Sequence, residues 1–355
     1  MENKDVMILT YHLTDGGAER VLVELANEWI KKGCRIYILQ TAPQMYSNNY
    51  RISDKVTYIN YDRKKNGLIN SIRCVYFIAK KMREHSNATV LAFTKGTQYL
   101  IAIASFFTKN RIVVSERNDP YTTPSKKSRR LLRDLAFSKA DKCVFQTADA
   151  KGFFSKEIQE KGIVIPNPIN PDLPDRYIGD REKKIVAVGR LHPQKNFGLL
   201  IRAFSCIHKD YPEYKLVIYG RGNQENELRA LISALDLNEY VELPGFSDDI
   251  YQDILKSSVY VSSSDYEGMS NSMLEALALG IPSVVTDCPI GGARMIIKNN
   301  VNGILVPVGD EKAMYDAIRR ILSDKKFADM LSDEAYKIRA DLPVEKIARE
   351  WLELF

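Results

Sequence analysis

Residues 166–174, PNPINPDLP, constrain the fold of this chain more than any other segment. The four prolines each lack an N–H and push the preceding residue out of the helical region, so neither a helix nor a sheet passes through. On either side a strand and helix rhythm runs. Short β-branched stretches lie at residues 6–10, 35–40, 89–93, 111–115 and 142–146 before the prolines. Others lie at residues 184–188, 215–219, 240–243, 258–262, 282–286 and 303–306 after them. Alternating strands and helical segments specify mostly parallel sheets with crossover helices. The first helical segment, residues 17–32, places Val21, Leu22, Leu25, Ala26, Trp29 and Ile30 on one stripe before Gly33 ends it.

The chain has 355 residues, enough for two cores. The expected architecture is α/β, with two doubly wound domains at residues 1–172 and 173–343 and a C-terminal helix, 344–355, packing back on the first. Such sheets bind ligands beyond the carboxyl ends of their strands, so the active site is expected in a cleft between the domains.

Hydrophobic residues at 45% and charged residues at 27% are those of a folded globular chain. The longest apolar run, residues 99–107, is far short of the roughly 18 residues that a membrane span needs. Residues 1–5 carry charge in place of an apolar signal core, so a cytoplasmic protein is expected. The five cysteines (Cys34, Cys74, Cys143, Cys206, Cys288) are scattered without a CxxC spacing, and neither disulfides nor a metal site is implied.

Charge is distributed unevenly. Residues 1–172 hold 28 Lys/Arg against 17 Asp/Glu, and the remainder 23 against 28, so the halves carry about +11 and −5. A basic half favours phosphates, nucleic acid or an anionic membrane surface, or is simply a solvated face. Residues 124–139 set Lys126, Lys127, Arg129, Arg130 and Arg133 around Leu131, Leu132, Leu135, Ala136 and Phe137. Residues 67–85 combine Ile69, Ile72, Val75, Tyr76 and Ile78 with Lys80, Lys81 and Arg83. Either helix alone is satisfied by packing its apolar stripe on the sheet; with the charge asymmetry, the two fit a domain resting on an anionic leaflet.

Three loops carry the chemistry. The strand at 184–188 ends in Gly189-Arg190-Leu191-His192-Pro193-Gln194-Lys195-Asn196, followed by a helical segment at 197–208. Two fixed cations at a strand end beside a helix start suit a pyrophosphate, and Arg190 and Lys195 are the candidate clamp. The strand at 258–262 runs into Ser263-Ser264-Asp265-Tyr266-Glu267-Gly268-Met269-Ser270-Asn271-Ser272, then a helix at 273–279 closed by Gly280. Glu267 in the turn and Glu275 on the helix both face a ligand resting on that helix N-terminus, as acceptors for sugar or ribose hydroxyls. The alternative makes Glu275 an ordinary exposed helical glutamate. In the first half, Gly16 and Gly17 lie between a strand and a helix, where a missing side chain lets backbone approach a diphosphate, or merely makes a tight turn. Gly220-Arg221-Gly222 and Pro244-Gly245-Phe246 also follow strands and are candidate walls for a nucleotide base.

The E-x7-E spacing of Glu267 and Glu275, set in EGMSNSMLEALALG, resembles the signature of the family-four retaining glycosyltransferases, which have the GT-B fold. Gly16-Gly17-Ala18-Glu19-Arg20 is similar to that family's glycine-rich first loop, and GRLHPQKN to its phosphate motif. The resemblance implies that Glu267 contacts the donor hexose near the reacting carbon and Glu275 holds the ribose. It implies that Arg190, Lys195, Gly189 and the backbone of Gly268, Met269, Ser270, Asn271 and Ser272 receive the diphosphate without a metal or other cofactor. The chain departs from the family where a histidine often follows the strand at 111–115: here SERNDP stands, and that role passes to Arg117 or Asn118. SERNDP is similar to a subgroup that builds bacterial surface polysaccharides and lipid-linked oligosaccharides. By that resemblance the donor is a UDP-linked hexose or N-acetylhexosamine, the acceptor a glycan or polyprenyl diphosphate, and the place the inner face of the cell membrane, met through the basic N-terminal domain.

Other classes fit less well. A nicotinamide-dependent oxidoreductase needs a G-x-G-x-x-G fingerprint, and Gly220-x-Gly222 has Glu225 where the third glycine belongs. A GT-B-fold epimerase needs an acid/base set, whereas the four histidines are far apart. A non-catalytic nucleic-acid binder needs aromatic-interleaved repeats or zinc spacings, which are missing, so no nucleic-acid partner is expected.

Overall fold

The computed structural model describes residues 4–11, 13, 16–41, 51–61, 67–94 and 96–355. Residues 1–3 and most of the loop at 41–51 lie outside the described residues. The chain divides into two compact units, one comprising Met1–Pro168 with Pro343–Phe355 and the other Ile169–Leu342. One junction falls inside the proline run, where the backbone leaves one sheet and has not yet entered the next.

The first unit contains, in chain order, β1 (Asp5–Thr10), α1 (Gly17–Lys31), β2 (Arg35–Gln40), β3 (Thr57–Asn60), α2 (Leu68–Glu84) and β4 (Thr89–Ala92). It continues with α3 (Thr97–Ala104), β5 (Ile112–Glu116), α4 (Lys127–Lys139), β6 (Lys142–Phe145), α5 (Ala148–Gly152), α6 (Lys156–Glu160) and β7 (Gly162–Val164). Its seven strands pair in the order β3-β2-β1-β4-β5-β6-β7, every ladder parallel. Central strands such as β5 are buried throughout, as a sheet covered on both faces requires. Val21, Leu22, Leu25, Ala26 and Trp29 of α1 are buried and Ile30 half-buried, which is the stripe the sequence specifies. The short strands β3 and β7 were not foreseen: four and three residues long, they show too little alternation to be distinguished from loop.

The second unit contains β8 (Glu182–Val188), α7 (Phe197–Asp210), β9 (Lys215–Tyr219), α8 (Glu225–Ala234), β10 (Val241–Gly245), α9 (Ile250–Leu255) and β11 (Ser257–Ser262). After these come α10 (Asn271–Ala278), β12 (Ser283–Thr286), α11 (Gly292–Ile296), β13 (Ile304–Val306), α12 (Glu311–Ser323), α13 (Lys325–Tyr336) and α14 (Ile338–Asp341). The six parallel strands run β10-β9-β8-β11-β12-β13. Strand order reverses between the neighbours β8 and β11. Loops leaving their carboxyl ends therefore turn to opposite faces and open a crevice, where doubly wound sheets bind ligands.

After α14 the chain returns to the first unit as α15 (Val344–Leu352), which packs on α1. Trp29 Nε1 donates to the Ala348 carbonyl at 2.9 Å, and Trp351, fully buried, meets Trp29 and Phe93 at ring-centroid distances of 6.4 and 5.6 Å. Lys4 Nζ and Arg111 Nε bind the carbonyls of Leu352, Phe355 and Leu354.

The two amphipathic helices of the first unit are not arranged as a single core-facing stripe would place them. In α2, Cys74, Ile78, Ala79 and Met82 face the core, while Ile69, Ile72 and Tyr76 are 70, 62 and 69% exposed on the opposite side. In α4, Ala136 and Phe137 are buried and Leu131 points outward at 72%. Arg133, grouped by sequence with the exposed cations, is buried instead. Its guanidinium donates to the carbonyls of Pro120 and Thr123 and lies about 5 Å from the rings of Phe153 and Phe154. Helix α3 packs against both α2 and α4, and with the turn Ser105–Phe107 adds exposed Ile103, Phe106 and Phe107 to the same layer.

Candidate active site

The crevice between β8 and β11 is built by two loops. The loop after β8 crosses Gly189–His192, tightens into one 3-10 turn at Pro193–Lys195 and enters α7 through Asn196. Asn196 adopts φ +43°, a left-handed conformation that asparagine tolerates, and its Oδ1 accepts the Leu199 N–H to cap the helix. The loop after β11 runs from Ser263 to Ser270, whose Oγ accepts the Met273 N–H and starts α10. The next two residues, Asn271 and Ser272, form the first turn, the positive end of the helix dipole.

These loops bring Lys195 and Glu267 together. Lys195 Nζ donates to Glu267 Oε1, which also accepts from Ser264 Oγ at 3.1 Å; the two charged side chains are only 15 and 18% exposed. The lysine stem lies over Gly189, where a Cβ would approach Lys195 Cε to 2.9 Å, so the glycine leaves room for the cation. Arg190 is on the same loop but exposed, with no ion pair among the described residues. A recess beside the pair is lined by Glu267, Gly268, Ser270, Met273, Thr286 and Cys288.

Glu275 is 6% exposed on α10, which excludes the ordinary surface glutamate. Glu267 and Glu275 are both near enough to the buried Tyr260 phenol to oppose its ionisation, an effect added to burial, which pushes that phenol upward. Tyr260 OH in turn meets Ser272 Oγ at 3.0 Å, and Ser272 meets Ser270 Oγ at 3.1 Å, so these side chains brace the helix start from below. Met269 is buried at 5%.

Gly220 and Gly245 have positive φ, and the Gly220 N–H donates to the Gly245 carbonyl at 2.7 Å. A Cβ at Gly220 would lie 1.9 Å from the Gly189 carbonyl oxygen. The glycine is thus required for the β9 loop to lie directly on the loop carrying Arg190 and Lys195. Phe246 is 50% exposed beyond it, leaving a ring face open.

Four of the sequence-derived positions belong to the first unit. Gly16 is the N-cap of α1 and Gly17 its first residue, while residues 12, 14 and 15 before them lie outside the described residues. Asn118 is half-buried, and its Oδ1 accepts the Asp119 N–H at 2.9 Å. Arg117 stacks on Phe93 at 4.5 Å and donates to Asn167 Oδ1. Burial pulls its guanidinium down to about 9, so it remains charged at neutral pH.

Sequence reasoning gave no role to Ser264, Thr286, Cys288 or Gln194. Thr286 Oγ1 and Cys288 Sγ both donate to the Ser264 carbonyl, at 2.6 and 3.2 Å, and hold the β11 loop from behind. The available signal was their place at the ends of β11 and β12, neighbours in the sheet; their partners are not written in the spacing.

Comparison with known proteins bears on the fold and the class of reaction. Residues 172–338 match the family described as glycosyl transferases group 1. An uncharacterized glycosyltransferase of Haemophilus influenzae is 27% identical over 95% of both chains. The N-acetylgalactosamine-N,N'-diacetylbacillosaminyl-diphospho-undecaprenol 4-alpha-N-acetylgalactosaminyltransferase of Campylobacter jejuni is 28% identical over 98% of both. Among solved structures, Anabaena HepE in complex with UDP and glucose superposes with a TM-score of 0.82 at 19% identity over 98% of both chains. Staphylococcus aureus TarM, in a complex with fondaparinux, α-GlcNAc-glycerol and UDP, does so with a TM-score of 0.82 at 15% identity over 99% of both. Residues 172–338 are thus similar to the group 1 glycosyl transferases, and the chain has the GT-B fold, with two parallel-sheet Rossmann-like units.

Proposed function

We propose that this glycosyltransferase moves a hexose or N-acetylhexosamine from a UDP sugar, with retention at the anomeric carbon, to a glycan or a polyprenyl-diphosphate-linked acceptor of a bacterial surface polysaccharide. The observation that carries the reading is the Lys195–Glu267 pair in the crevice where strand order reverses, beside the N-terminus of α10. A carboxylate there accepts hydrogen bonds from donor sugar hydroxyls, while Lys195, Arg190 and the Asn271 and Ser272 N–H groups face the diphosphate. As the glycosidic bond breaks, negative charge grows on the leaving diphosphate, and fixed cations with a helix N-terminus stabilise it without reorganising. The acceptor hydroxyl attacks on the same face and its proton passes to a diphosphate oxygen. No metal is invoked in this scheme, because the cations neutralise the leaving group. The HepE and TarM structures are complexes with UDP, and the Campylobacter relative is named for an undecaprenol-linked acceptor, which supports these choices.

The same reading places the enzyme peripherally on the inner face of the cell membrane. The outward apolar residues of α2, α3 and α4 lie among Arg73, Lys80, Lys126, Lys127, Arg129 and Arg130, a combination suited to an anionic leaflet. No helix among the described residues is long and apolar enough to cross a membrane.

The test is release of nucleoside diphosphate from a panel of UDP and GDP sugars, with and without polyprenyl-linked acceptor and with chelator present. One donor should turn over, and Glu267→Ala should lower its kcat by about 10²–10³, the scale of losing one electrostatic stabiliser. Nucleotide binding without any turnover would refute the donor and acceptor reading.

A further inference from the structure

We propose that Gln194 and Asp265 are positioning residues for transfer, which clamp the turn carrying Lys195 to the loop carrying Glu267; the inference rests on the reading that these two side chains face the donor. Gln194 is 8% exposed, and a buried amide must find partners. Its side-chain Nε2 donates to the Tyr266 carbonyl at 2.9 Å, and its backbone carbonyl accepts the Asp265 N–H at 2.9 Å. On the other flank of Lys195, Asn196 Nδ2 donates to Asp265 Oδ1 at 2.7 Å, and Ser263 Oγ donates to the Lys195 carbonyl at 2.8 Å. Both neighbours of Lys195 are thus tied to the residues immediately preceding Glu267.

The far side of the loop is held by backbone contact. A Cβ at Gly292 would fall 1.8 Å from the Gly268 carbonyl oxygen, so α11 begins hard against the residue after Glu267. The Glu267 backbone is bracketed between the Gln194 amide and Gly292. Lys and Glu side chains have many rotamers, and neither charge holds a fixed place unless its backbone does. A displacement of about 1 Å at such a site costs on the order of 10²-fold in rate.

Two isolated changes test the clamp. Gln194→Met keeps the volume and removes the amide; Asp265→Ala removes the acceptor for Asn196, whereas Asp265→Asn retains an oxygen there. With the donor that wild type uses, Gln194→Met and Asp265→Ala should lose about 10- to 100-fold in kcat with little change in donor KM, because misplacement is felt in the transition state. Asp265→Asn should restore transfer to within about threefold of wild type, and all three variants should melt as cooperatively as wild type.

A second measurement does not depend on activity. In full-length protein reductively methylated with 13C, the Lys195 methyl signal is identified by its loss in Lys195→Arg. It should move on Glu267→Gln in the wild-type background and stay unmoved on the same change in the Gln194→Met background. Unaltered kcat in Gln194→Met, with the Lys195 signal still responding to Glu267, overturns the proposal. So does a loss of rate that merely follows the unfolded fraction. If wild type transfers no sugar, the functional reading fails, and the Lys195 signal still decides whether the clamp exists.

Discussion

At the scale of single residues, Cys288 and Cys143 show how burial shapes behaviour without taking part in chemistry. Burial pushes both thiols up to about 12, so they hold their protons throughout the neutral range and are poor nucleophiles. In the unfolded chain a thiol ionises near 8.5; between there and pH 12 the native state binds more protons than the unfolded one. The stabilisation is complete below about pH 8.5 and is lost as pH rises toward 12. Urea unfolding should show stability falling across this window, and Cys288→Ala should flatten the decline by up to about 1.4 kcal/mol per pH unit. A decline identical in the variant would remove Cys288 from the account. The charged candidates were the legible ones: Lys195, Glu267 and Glu275 announce themselves by charge at a strand end or a helix start. Their supports were not. Gln194 and Tyr266 are separated by 72 residues, and no local pattern encodes a hydrogen bond that only the sheet order creates.

At the scale of elements, long periodic segments were readable and short or two-faced ones were not. Helix α1 needed only its stripe, whereas α2 has apolar residues on two sides, and the sequence does not say which side the sheet takes. The structure assigns Cys74, Ile78 and Met82 to the core and leaves Ile69, Ile72 and Tyr76 outside. Each large apolar side chain withdrawn from water contributes roughly 1.5–3 kcal/mol, so three on one helix face would carry much of the proposed membrane affinity. Replacing Ile69, Ile72 and Tyr76 together with glutamate should lower binding to vesicles containing anionic phospholipid at least tenfold in flotation assays, about 1.4 kcal/mol. Retained flotation would mean that other residues dock the enzyme; no flotation of wild type would refute membrane association. Arg133 reads as basic surface in the sequence because charge is normally exposed, and its burial is made tolerable by the carbonyls of Pro120 and Thr123, the Asp134 carboxylate and the rings of Phe153 and Phe154.

At the scale of the whole molecule, the proline run was legible because it forbids regular structure, and it marks one of the two places where the chain passes between units. The other, at Leu342 and Pro343, has no comparable signal. There the Ile169 N–H donates to the Leu342 carbonyl at 2.9 Å, so the two crossings are adjacent. The sealing of the first unit rests on α15. Trp351→Ala should cost roughly 3–5 kcal/mol and be detected as a lowered urea midpoint followed by Trp29 fluorescence, since it empties a fully buried site. A cost below 1 kcal/mol would mean that α15 contributes little to the core.

The return of α15 also orders events during synthesis. The second unit is one uninterrupted stretch, complete once Leu342 has emerged from the ribosome, while the first must wait for Trp351 to cover Trp29 and Phe93. Domains usually fold in the order in which they are made. Here the half translated first is finished last, and until then its open indole face is the surface that a nascent-chain chaperone would meet.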